Sequence, residues 1–275
     1  MNSKDTTQFW RHDALGLDLM QAYFVNHAYP RHSHDHYVIC MIEQGVQSFT
    51  LKGTKYYTPP SGLIFINPGV IHTGEPATEN GFVLRSIYPS VELMQTAVYR
   101  LTGHQNHLPF FRDARVDDAA LAYQFYQLHE LLKDEPDPLV YETQFMLTMQ
   151  NMIGRYADVV VEKRPCSLEP RAVYQARDYL EANYAAAISL DDLAQITSLS
   201  PYHLIRAFHA EIGMPPHAYL QDIRIRRAQR LIRQNMPLAD IAYAVGFSSQ
   251  SHMTRRFKKF VGITPGQYAK AILSS

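Results

Sequence analysis

An internal repeat in the last hundred residues constrains this chain more than any other feature. Leu190-Asp191-Asp192-Leu193-Ala194 aligns with Leu238-Ala239-Asp240-Ile241-Ala242, 48 residues later. Phe208, Gly213, Pro216 and Tyr219 align with Phe257, Gly262, Pro265 and Tyr268, 49 residues later. The second copy therefore carries one extra residue, in the turn around Phe247-Ser248-Ser249. Each copy reads as a short helix, a turn and a second helix. In the first, Ser189 caps a helix through Ser198, Leu199 is a buried turn residue, and Ser200 caps the next helix with Pro201 at its first position. In the second, a short helix from about Pro237 to Val245 ends at Gly246, which suits a left-handed turn. Phe247 is then the buried turn residue, and Ser248 or Ser249 caps the following helix. Thr264-Pro265-Gly266-Gln267 has the pattern of a capping box opening a last helix.

Helix-turn-helix units place their second helix in the DNA major groove. Those helices carry Tyr202, His203 and Arg206 in the first copy. The second offers Ser249, Gln250, Ser251, His252, Thr254, Arg255, Arg256 and Lys258. Leu204 with Phe208, and Met253 with Phe257, should face the core and leave the polar residues outward. Arg reads guanine bidentately, Gln reads adenine, and Ser or Thr holds phosphates. Pro216 to about Gln234 reads as one connecting helix, roughly 28 Å long, able to hold two reading helices about one DNA turn apart. Arg226, Arg230 and Arg233 lie along it, either meeting phosphates or keeping that face wet.

Charge follows the same division. Lys+Arg and Asp+Glu are both 26 in the 275 residues. Residues 168–275 hold 13 basic against 8 acidic side chains, and residues 1–167 hold 13 against 18. A polyanion partner for the last third alone fits that asymmetry. Two cysteines, Cys40 and Cys166, exclude a disulfide framework and a cysteine-rich zinc module. Cys40 reads as core and Cys166 as an exposed linker residue. No apolar run is long enough to span a bilayer, and Met1 to Asp18 lacks the apolar stretch of a signal peptide, so a cytoplasmic protein is expected.

The first hundred residues read as β. Tyr37–Ile42, the alternating Gln47–Leu51, Leu63–Ile66 and Phe82–Tyr88 are short strands, with Gly53 and Asn67-Pro68-Gly69 as turns. They suggest a small antiparallel barrel or sandwich. Leu121, Phe125, Leu128 and Leu132 then mark an amphipathic helix capped by Asp117 or Asp118. A second helix follows from about Leu139 to Val160, and the two form a hairpin beside the barrel, either packing on it or supplying a dimer surface. Glu162–Pro170 reads as a linker. The expected domains are 1–161, the linker 162–170, and 171–275.

The C-terminal third resembles the AraC/XylS family of bacterial transcription regulators. The matching residues are Arg224-Ile225, Ala228, Leu231-Ile232, Asp240-Ile241-Ala242, Gly246-Phe247, Arg255, Phe257-Lys258, Gly262, Thr264-Pro265 and Tyr268. Ala269 departs from the Arg usual there. The resemblance implies base-reading positions at Tyr202, Arg206, Gln250, Ser251 and Arg255. The N-terminal part is more loosely similar to the cupin-type effector barrel of that family, through His32-Ser33-His34, Glu43-Gln44-Gly45, Gly62 and Asn67-Pro68-Gly69-Val70-Ile71-His72. The fold so implied is a two-domain α and β chain. A cupin-like β-barrel with a flanking helical hairpin precedes an all-α tandem helix-turn-helix domain. A small effector in the barrel, a homodimer and, for an activator, RNA polymerase are the implied partners beside double-stranded DNA.

His32, His34 and His36 alternate, so in a strand they share a face that His72 can approach. With Glu43 they admit three readings: effector-contacting residues of a metal-free pocket, ligands of a divalent ion, or ordinary surface histidines. Against a catalytic metal, Pro68 is followed directly by Gly69 where metal cupins usually have one residue between. His, Tyr and Glu in the barrel favour a small polar metabolite, with no cofactor required. The leading expectation is an effector-controlled DNA-binding regulator. The rivals are a metal-dependent cupin enzyme with a helical appendage, and a regulator that has lost its effector.

Overall fold

The computed structural model describes residues 5–103, 107–159, 170–261 and 263–273. They fall into two compact units: Met1–Glu135 with Gln144–Lys163, and Pro136–Thr143 with Arg164–Ser275. Among the described residues no helix is long and apolar enough to cross a membrane.

The first unit is built from β1 (Thr6–His12), β2 (Leu17–Phe24), β3 (Tyr29–His32), β4 (Val38–Gly45), β5 (Gln47–Leu51), β6 (Thr54–Thr58), β7 (Gly62–Ile66), β8 (His72–Pro76) and β9 (Phe82–Tyr88). Then come α1 (Val91–Thr102), β10 (Arg115–Asp117), α2 (Ala119–Asp134) and α3 (Pro138–Tyr156), whose first residues count with the second unit. The strands form two antiparallel sheets, β1-β2-β9-β4-β7-β10 and β3-β8-β5-β6. Leu51 pairs with Thr54, so Lys52-Gly53 is a two-residue turn with both φ positive, the type whose twist suits a hairpin.

Period two sorts the side chains of the larger sheet. Met20, Val38, Cys40, Ile64, Ile66 and Leu84 face inward and share a core with Phe49 of the smaller sheet. The intervening Leu19, Ile39, Leu63, Phe65 and Ile87 are equally buried because α2 covers the outer face, packing against β1, β4, β7 and β9. Asp118 caps α2 by accepting from the Leu121 amide at 3.0 Å. Strands β1 and β2 and helix α1 go beyond the sequence reading. For α1, Ser90 accepts from the Leu93 amide at 3.1 Å, and Met94, Ala97, Val98 and Leu101 form its buried stripe.

The second unit adds α4 (Pro170–Ala182), α5 (Leu190–Thr197), α6 (Pro201–Ile212), α7 (Pro216–Arg233), α8 (Leu238–Ala244), α9 (Gln250–Val261) and α10 (Pro265–Leu273). The repeat is repeated in three dimensions. Ser200 accepts from the His203 amide at 3.3 Å and Ser249 from the His252 amide at 3.1 Å. Phe208 meets Tyr219 edge-on at 5.6 Å, and Phe257 meets Tyr268 edge-on at 5.5 Å. Helix α7 packs against α4 and α6 and against α8, α9 and α10, so it joins both copies. Thr264 and Gln267 close the expected capping box.

The contacts divide between Lys163 and Arg164, inside the expected linker, but the expected first domain also gives up an internal segment. Residues 136–143 belong with the second unit for a local reason. Asp137 forms a buried ion pair with Arg224 and accepts from Gln221 at 3.0 Å, and Glu142 accepts from the Leu190 amide at 2.6 Å. Arg224 also donates to the carbonyls of Tyr184 and Ala186. A buried guanidinium is tolerable only with such full pairing. The linker 162–170, apart from Pro170 at the start of α4, and Cys166 lie outside the described residues, as does Val160 at the expected end of α3.

Candidate DNA-binding and ligand-binding sites

Both reading helices are amphipathic, and the buried side of each locks its orientation. In α6, Leu204, Ile205, Ala207 and Phe208 are buried, leaving Tyr202 and Arg206 half-buried at the surface, whereas His203, expected outward, is half-buried with its Nε2 atom buried, as its equivalent His252 is turned inward. Arg206 donates to the Tyr202 hydroxyl at 3.2 Å and lies 5.4 Å from the centre of its ring. That contact holds the guanidinium over the helix face before any ligand arrives. In α9, Met253 and Phe257 are buried, while Gln250, Ser251, Arg255, Lys258 and Lys259 are exposed and Thr254 is half-buried. No acidic residue interrupts α9, so its outer face is a concentrated positive strip.

In the first unit, the two sheets enclose a chamber of about 560 Å³. Most of its wall is apolar: Met20, Val38, Ile64, Ile66 and Leu84 from the larger sheet and Phe49 from the smaller. One side carries His32, His34, His36 and His72. Ring centres lie 4.3 Å apart for His32 and His72, 4.8 Å for His32 and His34, and 5.3 Å for His34 and His72. His34 and His36 lie in the loop after β3 rather than in a strand, so strand alternation is not what brings them together. Burial, aided by the neighbouring imidazoles, pushes the His34 pKa down to about 4, and burial lowers that of His72 as well. Both rings are neutral at pH 7. Trp10 Nε1 and Gln47 Oε1, on two other lining residues, are buried without a hydrogen-bond partner among the described residues, one donor and one acceptor.

Comparison with known proteins agrees with this division. A model of the AraC-like ligand binding domain matches residues 14–149, and a helix-turn-helix domain model matches residues 193–271. An uncharacterized HTH-type transcriptional regulator, YbfI of Bacillus subtilis, is 35% identical over 227 residues, covering 82% of this chain and 81% of the relative. The chain belongs to the AraC family of transcriptional regulators. The HTH-type transcriptional activator RhaS of Citrobacter koseri is 26% identical over 241 residues, 84% of each chain. The solved C-terminal domain of AraT, a response regulator from Geobacillus stearothermophilus, is 30% identical, covering 38% of this chain and 88% of that one with a TM-score of 0.36. The two-domain fold expected of an AraC-family chain, β-rich then helical, is the one observed.

Within that family frame, several expected site residues sit elsewhere. Glu43 does not line the chamber. Inward positions of β4 are Val38 and Cys40, and Glu43 is drawn to Arg85, which donates to it at 2.7 Å and also pairs with Glu130. His252, expected outward, is buried against Phe247 at 5.2 Å and meets the Ser248 hydroxyl at 3.3 Å. Arg256 turns back toward His252 at 3.4 Å, and Leu199 is only half-buried. Of the connecting-helix arginines, Arg226 pairs with Asp222 at 2.9 Å and Arg233 donates to Tyr268, while Arg230 is exposed. Cys40 is both core and chamber wall, with burial raising its thiol pKa to about 11. Sequence reasoning missed Trp10 and Gln47. Their signals were present: Trp10 is the sole tryptophan, set in a run of alternating character, and Gln47 opens a strand at a position where inward residues recur.

Proposed function

We propose that this chain is a ligand-responsive regulator in which a molecule held in the β-chamber governs how α6 and α9 grip operator DNA. The observation that supports this best is the pairing, in one chain, of a preformed chamber with two equivalent helices whose outer faces carry Tyr202 and Arg206, and Ser249, Gln250, Ser251, Thr254, Arg255 and Lys258. Arg206 and Arg255 occupy equivalent positions in the repeat and are the base readers; Lys258 binds phosphate. The chamber wall changes the class of ligand. A small polar metabolite would leave the apolar wall wet, so the fitting effector is amphipathic, with a polar end at the histidines and an apolar body against Met20, Ile64, Ile66 and Leu84.

Action as a homodimer at a bacterial promoter, in the cytoplasm and through RNA polymerase if the chain activates, completes the proposal. A catalytic role is not part of it: the carboxylate that a metal-enzyme reading needs, Glu43, is paired with Arg85. The direct test uses Trp10, the sole tryptophan and part of the chamber wall, as reporter. Candidate amphipathic metabolites should shift its emission saturably and alter the affinity of the full chain for operator fragments found by genome-wide binding-site mapping. Saturable binding that leaves DNA affinity and transcription unchanged would refute the coupling.

A further inference from the structure

We infer that His32, His34 and His72 form a binding site for one divalent transition-metal ion, seated in the chamber wall. One ring nitrogen from each of these residues lies within 4.8 Å of those of the other two. Proximity alone is weak evidence; the hydrogen bonds around the rings give it meaning. His32 Nδ1 lies 2.8 Å from the carbonyl oxygen of Pro30, and His72 Nδ1 lies 3.0 Å from that of Val70. A carbonyl only accepts, so each Nδ1 must carry the proton and donate it. In the neutral ring, the form that binds a metal, this leaves Nε2 as the nitrogen with the free lone pair. This is the arrangement by which an outer partner fixes tautomer and ring orientation in metal-bound histidines. Two backbone carbonyls, each two residues before its histidine, build it here.

Clustered lone pairs repel an anion and repel one another, and the surrounding wall is apolar. Two kinds of group can answer them: a metal ion, or a donor-rich group such as an alkylammonium. Imidazole nitrogens without thiolates or carboxylates suit zinc and its neighbours in the first transition row, not calcium or magnesium. Zinc–nitrogen bonds of about 2.0–2.1 Å require the nitrogens to lie about 3.3 Å apart, so the rings close by rotation as the ion enters. The His34 backbone is held by the Gly69 amide, which donates to its carbonyl at 2.7 Å, so the closure is a rotation of side chains. Three neutral imidazoles leave the ion its full positive charge. Glu43 is held by Arg85, and the nearby carboxylates are otherwise engaged: Asp18, which lines the chamber, pairs with Arg11 at 2.7 Å, and the exposed Asp35 lies 3.0 Å from His36. The ion's remaining positions open into the chamber and favour an organic anion carried on an apolar body. That last step rests on the effector reading above; the metal site itself does not.

The test is titration of chelator-treated full-length protein with cobalt(II) alone, followed by its d–d absorption, and by displacement with zinc. One equivalent per chain should bind. His34→Gln and His72→Ala should each lower the affinity by more than about tenfold, the size that loss of even a supporting contact produces at metal sites. Replacing the exposed His107 by Ala should leave it unchanged. Circular dichroism identifies a variant that has failed to fold, and His34→Gln, in a loop, guards against that outcome for buried His72. No cobalt spectrum, or a spectrum insensitive to both variants, overturns the site. If the spectrum is absent while a chamber ligand still shifts Trp10 emission and DNA affinity, the metal fails and the regulator stands. If the spectrum is present without any DNA response, the reverse holds.

Discussion

The two helix-turn-helix copies share a plan but not a surface. Position for position, Ser200, His203, Leu204, Arg206 and Phe208 correspond to Ser249, His252, Met253, Arg255 and Phe257. Caps and buried anchors are kept because they hold the unit together. Outside those positions the copies diverge. The first has a complete capping box on α5, from Ser189 and Asp192, whereas the N-cap residue of α8 is Pro237, which makes no side-chain cap bond. The first presents an arginine braced on a tyrosine; the second presents Arg255, Lys258 and Lys259 on an exposed strip. The first copy is thus better fixed and less charged, and the second is less fixed and more charged. The difference suggests a division of labour, with shape-determined contacts in one groove segment and charge-driven contacts in the next.

The sharpest break of that comparison is at the equivalent turn residues Gly246 and Ser198. Both are left-handed, with φ of 85° and 56°. A Cβ on Gly246 would lie 2.8 Å from backbone atoms of Ala185, so the second copy has no room for the serine that the first accepts. Gly246→Ser should cost about 3 kcal/mol or more of stability, measured by denaturant melting of the full chain. A loss under about 1 kcal/mol would mean that the α8–α9 turn relaxes freely. Next come the paired arginines. Arg255→Ala and Arg206→Ala should each cost about 1–3 kcal/mol on the specific operator and relax selectivity at one base position, read by binding to an operator substitution series. Equal losses on every sequence would reassign them to phosphates.

A pH effect separates the copies further. Burial lowers the His252 pKa below 6.5 in the folded protein. The unfolded chain therefore takes up a proton first on acidification. His252 contributes stability above pH 6.5 that is lost as pH falls through the folded value. Melting at pH 7.5 and 5.5 should show the wild type losing more than His252→Gln; equal losses would remove His252 from the account. Lys258→Ala should reduce the salt slope of operator affinity by about 1, more than the same change at its first-copy equivalent, His209. The smallest effect is the reciprocal turn swap: Ser198→Gly should stabilise by about 1 kcal/mol or less, since glycine removes the left-handed penalty but adds chain entropy.

How much of this was readable without coordinates depended on the range of the interaction. Ser189, Ser200, Ser249, Asp118 and Thr264 with Gln267 act within a few residues of themselves, and each caps as its local sequence indicates. Glu43 looked like a chamber residue because nothing near it in sequence competes for its carboxylate; Arg85, 42 residues away, does. His252 looked like a groove residue until Phe247 and Ser248 enclosed it. Asp137 gave no signal, because its partner Arg224 lies 87 residues further on. The chamber's apolar character also escaped notice, since it comes from alternate residues of strands that are distant in sequence and are brought face to face by the sheets.

The sequence by itself determined the repeat, its caps, its two arginines and the family to which they point, since helix signals are local and a duplicated pattern is its own control. Only the tertiary structure decided which histidines meet, which carboxylate is withheld from them, and that the chamber they line is mostly apolar. Those outcomes depend on the register of paired strands and on competition among distant charges, and both are settled only when the sheets close.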